Sequence, residues 1–215
     1  MYFPTEKNVN KLQFSAYASA ALIHMLNRQR DAAGLSLFDE QLQFHTRARM
    51  SKNHIQTLYA RLDELLKLKY EPKQRKQTRI SDVLHQIAEA AHKRSLVVIF
   101  SDMFENEDAA NLFNALEHLR YNKHEVIVFH VHDRQYEEAL VLEDRPHRLI
   151  DMENGEEMKL KPQEVRKLYG EQMRAFYEQV RKKCLQYKVD FVTADINEPF
   201  DKVLTSFLAR RSRMF

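Results

Sequence analysis

The segment SLVVIFSDMFENED, Ser95 to Asp108, decides the fold. Five apolar residues, Leu96 to Phe100, run unbroken into Ser101 and Asp102. An apolar run without alternation suits a strand covered on both faces. Acidic and polar residues follow, and then Leu112, Phe113, Leu116 and Leu119 recur at helical spacing. Asp102 therefore has two readings. It, or Asp108, caps the chain's turn into its next helix, as short polar residues commonly do. Alternatively, with the Ser101 hydroxyl, it is displayed outside the carboxyl end of a strand, where α/β sheets bind ligands. Hard oxygen donors of this kind suit Mg²⁺ or Mn²⁺. Judged locally, capping is the commoner outcome.

Working outward, the chain alternates helices and strands. Residues 10–30 read as a helix whose apolar face carries Phe14, Tyr17, Ala18, Ala21, Leu22, Met25 and Leu26. Ala32 to Phe38 and the run around Leu42 and Phe44 read as a hairpin-linked strand pair. Ile55, Leu58, Tyr59, Leu62, Leu65 and Leu66 mark a helix, and so do Ile80, Val83, Leu84, Ile87 and Ala91. Val126 to Val131 is a second unbroken apolar strand. Asn154-Gly155, between two short alternating runs, signals a β-hairpin at about 146–161, because both residues tolerate positive φ. A long helix starts at Pro162, its stripe running through Val165, Leu168, Tyr169, Met173, Phe176, Tyr177, Val180 and Cys184. A strand at Asp190 to Thr193 and a helix from Pro199 through Leu208 follow. Buried strands alternating with helices predict a mostly parallel sheet with helices on both faces, in one domain spanning 1–215. The first helix is very apolar, yet no strand precedes it for it to lie on.

Composition excludes several classes. The 215 residues are 44% hydrophobic and 30% charged, a globular profile with length for a sizeable core. Three glycines leave little material for a phosphate cradle, and one cysteine permits neither an internal disulfide nor a Cys-built metal site. No Walker loop, dinucleotide fingerprint or Gly-x-Ser-x-Gly elbow is present. A net charge of +3 is too mild to argue for nucleic acid. The basic run Lys73 to Arg79 and the terminal Arg210-Arg211-Ser212-Arg213 read as solvated surface, with no interleaved aromatic residue for base stacking. MYFPTEKNVNK lacks the apolar centre of a signal peptide, and no run reaches membrane-spanning length. The expectation is a soluble protein of a reducing cytoplasm.

Two further groups deserve weighing. His130 and His132 flank Val131, so on a strand they share a face, and Asp133 follows them. They form a candidate metal trio, but no third His or Cys stands at ligand spacing, which favours simple packing. Cys184, in a stripe with Tyr177, Val180 and Tyr187, reads as a small core residue rather than a nucleophile.

Several segments together carry a family resemblance: KLQFSAYASAALIHMLNRQRDAAGLSLFD, the Thr78 loop with its helix, RSLVVIFSDMF, VIVFHVHD and DMENGEEMKLKPQEVRKLY. In this order, spanning essentially the whole chain, they resemble the bacterial family called domain of unknown function 58. The resemblance implies a von Willebrand factor A-like, Rossmann-like α/β fold and genes often placed beside MoxR-type AAA+ ATPases. It also implies a metal-ion-dependent adhesion site at the carboxyl edge of the sheet. Thr78 matches the second-loop ligand and Asp102 the third, with Ser101 beside it. There a Mg²⁺ or Mn²⁺ ion would keep one position open for a carboxylate from a client protein, bridging two proteins without turnover.

The pattern departs from the family in two places. The Asp-x-Ser-x-Ser loop of the first strand would precede Met1, so the chain is expected to be a truncated form lacking its first central strand. Metal binding is then expected to be weak or absent, and the chain marginal, oligomeric or prone to aggregate. Gln77 stands where many relatives have Gly. The implied function is a non-enzymatic interaction domain acting with a MoxR-type ATPase in maturation or assembly of other proteins. The alternative is a metal-dependent hydrolase or nuclease using Asp102, His130, His132 and Asp133, which would need more carboxylates converging than the sequence places.

Overall fold

The computed structural model describes residues 9–39, 41–67, 80–102, 109–142, 145, 147–150, 157–201, 204–205 and 208. Helix α1, Lys11–Arg28, opens the described chain. Its start is fixed by a reciprocal cap. The Asn10 side chain accepts from the Gln13 N–H at 2.9 Å, and the Gln13 side chain accepts from the Asn10 N–H at 3.0 Å. Strands β1 (Ser36–Phe38) and β2 (Leu42–His45) form the expected antiparallel hairpin, followed by α2 (Lys52–Lys67) and α3 (Ile80–Ala90).

The opening stretch is β3, Leu96–Ser101. Helix α4 (Ala109–Tyr121) leads to β4, Glu125–His132, and a single turn of π-helix, Arg134–Glu138, follows it. The hairpin β5 (His147–Ile150) and β6 (Glu157–Leu160) pairs His147 with Leu160 and Ile150 with Glu157. The Asn154-Gly155 turn assigned to it lies outside the described residues. Helix α5 (Pro162–Gln186) and β7 (Asp190–Asp195) come next, and residues 200–201, 204–205 and 208 are helical.

Strands β3, β4 and β7 form a three-stranded parallel sheet with β4 in the middle. Val98 pairs with Ile127, Ser101 with His130, and His130 with Thr193. Side-chain alternation divides the core in two. Val126 and Val128 pack with Ile99 and Phe191 against residues of α3, α4 and α5, including Leu84, Leu116, Val180 and Cys184. Ile127, Phe129 and Val131 pack on the other face with Phe14 and Leu22 of α1 and with Leu204. Helices thus cover both faces, as the apolar strands require. A third cluster joins α1 to α2 through Ala16, Ile23, Ile55, Leu58 and Leu62. Among the described strands β3 is paired on one side only, and Leu96, Val97, Val98 and Phe100 are half-buried. Two residues depart from their assigned stripes: Tyr17 is exposed on α1 and Leu168 on α5.

Helix ends use an unusual residue. Arg30, Lys123 and Lys188 have φ of 60°, 64° and 55°, the left-handed region where glycine normally stands. Each belongs to the same hydrogen-bonded stop. For α5, the Val189 N–H donates to the Cys184 carbonyl and the Lys188 N–H to the Leu185 carbonyl, at 2.8 and 3.0 Å. A cation beside the negative end of the helix dipole offsets part of the strain.

Candidate functional site

Because β3, β4 and β7 are parallel, their carboxyl ends share one edge of the sheet. Ser101 ends β3 in a buried position, and Asp102 follows it, half-buried. Lys11, the first residue of α1, is 5% exposed. Its Nζ lies 3.4 Å from Asp102 Oδ2 and also contacts Glu137 Oε1 of the π-turn. Burial alone would raise the Asp102 carboxyl, but facing positive charge, Lys11 included, holds it down at about 2.

The π-turn brings Glu137 and Glu138 back toward the sheet. Asp133, fully buried, begins the turn by accepting from the Gln135 and Tyr136 N–H groups at 3.0 and 3.4 Å. Its own N–H donates to Glu137 Oε2 at 3.0 Å. Glu138 Oε1 lies 3.0 Å from His132 Nε2. From beyond β7, Asn197 Nδ2 donates to Asp133 Oδ1 and to Asp195 Oδ1, both at 2.8 Å. The Ile196 N–H donates to the His132 carbonyl at 3.0 Å. The ends of β4 and β7 are thus tied into one polar lattice.

The two histidines share a face, as alternation requires, and both are packed. Their ring centroids are 5.7 Å apart, and the His130 ring also meets Tyr177 and Phe191 at 5.3 and 5.9 Å. Burial, with His132 and Lys11 adding to it, pushes the His130 imidazole down to about 3 against a smaller upward pull from Asp102. The ring is neutral at pH 7. Cys184 is fully buried, and burial pushes its thiol up to about 12, so it is a core residue.

Of the three implied metal ligands, Thr78 lies outside the described residues. Strand alternation sends the Ser101 side chain toward the His130 face, whereas Asp102 meets Lys11 on the α1 face. Among the described residues no group of three or more His, Cys, Asp or Glu side chains is placed to hold a metal. The positive charge against Asp102 is instead an ammonium. Asp102 thus faces a cation of the chain itself. Among the described residues Asp102, His130, His132 and Asp133 do not form a metal-binding group, and Asp133 serves as a cap. Lys11, Glu137, Glu138 and Asn197 were not singled out from sequence. The one legible signal was a lysine opening a helix with a broad apolar face.

What the fold and this edge define is an α/β protein with helices on both faces of a parallel sheet and a buried lysine–carboxylate cluster at the sheet's carboxyl edge. A family profile described as "Protein of unknown function DUF58" matches residues 1–179, and the chain belongs to that family. No curated protein matches the sequence. Among solved structures, the crystal structure of the conserved hypothetical protein BatB from Bacteroides thetaiotaomicron is similar in fold, with a TM-score of 0.55 at 13% identity. The likeness covers 94% of this chain and 88% of that one. No helix among the described residues is long and apolar enough to cross a membrane.

Proposed function

We propose that the chain is a non-enzymatic protein-interaction domain of von Willebrand factor A-like type whose docking face is the carboxyl edge of the sheet. The partner class follows the family resemblance: a cytoplasmic MoxR-type AAA+ ATPase, with which the domain acts in maturation or assembly of other proteins. The observation that carries the reading is the state of the edge's polar groups. Asp102, Asp133, Glu137 and Glu138 are each engaged in ion pairs or caps with the chain's own groups. Such a lattice presents a rigid surface, whereas acid–base turnover needs a group positioned to take or give a proton. Arg134 and Asn197 are exposed at its rim. Biolayer interferometry with a purified MoxR-type ATPase tests the proposal. Binding should be saturable and weakened by Arg134→Glu but not by Lys93→Glu at the opposite edge. No binding, or equal loss in both variants, would count against it.

A further inference from the structure

Lys11 breaks two rules of local structure. It stands at the positive end of the α1 dipole, whose first turn contains no acidic residue. It is also almost wholly buried, which is rare for lysine unless paired. The helix does not need it for capping, because Asn10 and Gln13 supply that. What offsets both costs comes from distant segments: Asp102 after β3, and Glu137 from the turn after β4. Local rules broken together, with compensation gathered from two distant parts of the chain, mark a functional position.

We propose that Lys11 is a resident cation, its ammonium taking the place at this edge that a divalent ion takes in a metal-dependent adhesion site. This rests on the carboxyl edge being the docking face. One consequence follows for the partner: docking proceeds without Mg²⁺ or Mn²⁺.

Removing the Lys11 ammonium takes a positive charge from between Asp102 and Glu137 and should create a metal affinity there. The test is Mn²⁺ titration of the full chain, followed by the electron paramagnetic resonance signal of free Mn²⁺. The unmutated chain should show no saturable site dependent on Asp102. Lys11→Met should gain one, and Lys11→Met with Asp102→Asn should lose it again. Asp102-dependent Mn²⁺ binding by the unmutated chain would overturn the proposal, and so would no gain in a Lys11→Met variant whose circular dichroism is native. Should that variant not fold, amine acetylation read by peptide mass spectrometry decides on the unmutated chain. Lys11 should react severalfold more slowly than the exposed Lys67 and lose that protection in Asp102→Asn. Equal reactivity of the two lysines overturns the proposal. Neither readout involves the ATPase, so failure of the docking reading alone leaves these outcomes unchanged.

Discussion

Lys11 Nζ lies 3.4 Å from Asp102 Oδ2 although the two residues are 91 positions apart in sequence. The contact joins the start of α1 to the end of β3, and Glu137 completes it from the π-turn. Breaking a buried pair by deleting one partner costs more than the pair contributes, because the remaining charge is stranded. Asp102 keeps 28% of its side-chain exposure, so the cost is discounted for solvent. Lys11→Ala should therefore destabilise the chain by about 2–3 kcal/mol. Urea unfolding checks this, and adding Asp102→Asn should recover part of the loss through a double-mutant cycle.

His130 sets the pH dependence. The unfolded imidazole titrates near 6.5 and the folded one near 3, so between these values the unfolded chain binds one proton more. Stability is fully present above about pH 6.5 and falls as pH drops toward 3. Asp102 adds the same sign lower down: its contribution is present above 3.8 and lost as pH falls through about 2. His130→Gln should flatten the upper part by up to about 1.4 kcal/mol per pH unit. Urea midpoints at pH 4.5 and 7, compared between the two proteins, measure the difference.

Gly34 is required by close approach rather than by φ. A Cβ there would stand 2.7 Å from the Thr46 carbonyl oxygen. The neighbouring backbone is pinned, since the Thr46 N–H donates to the Leu35 carbonyl and the Leu35 N–H to Thr46 Oγ1, at 3.0 and 3.1 Å. Gly34→Ala should cost about 1–3 kcal/mol, seen as a lower Tm.

Cys184 offers a cheap probe of the α5 packing. Its thiol is buried against the face that also holds Val180 and Val189. Reaction with a thiol reagent should be slow in native buffer and fast in urea. Fast reaction in native buffer would mean that α5 opens from the sheet.

The elements were legible because apolar spacing records them. Unbroken runs gave β3 and β4, and helical spacing gave α1 to α5 within a few residues. The site was less legible. Asp102 was visible as a polar residue at a strand end, but its partner was not, since helical periodicity relates Lys11 only to residues within α1. The π-turn left no pattern either. Five residues are too few to show a period, and its organiser, Asp133, read from sequence as a candidate metal ligand. The helix stops at Arg30, Lys123 and Lys188 were hidden because the usual glycine signal is absent.

Site-specific photocrosslinking tests the central claim most directly. With a benzophenone side chain at position 134, on the carboxyl edge, the account predicts covalent capture of a MoxR-type ATPase in the presence of a metal chelator. The same probe at position 93, on the amino edge, should capture little. Equal capture at both positions, or capture at 93 alone, would contradict docking at the carboxyl edge, and capture at 134 only when Mg²⁺ is supplied would contradict the role of Lys11.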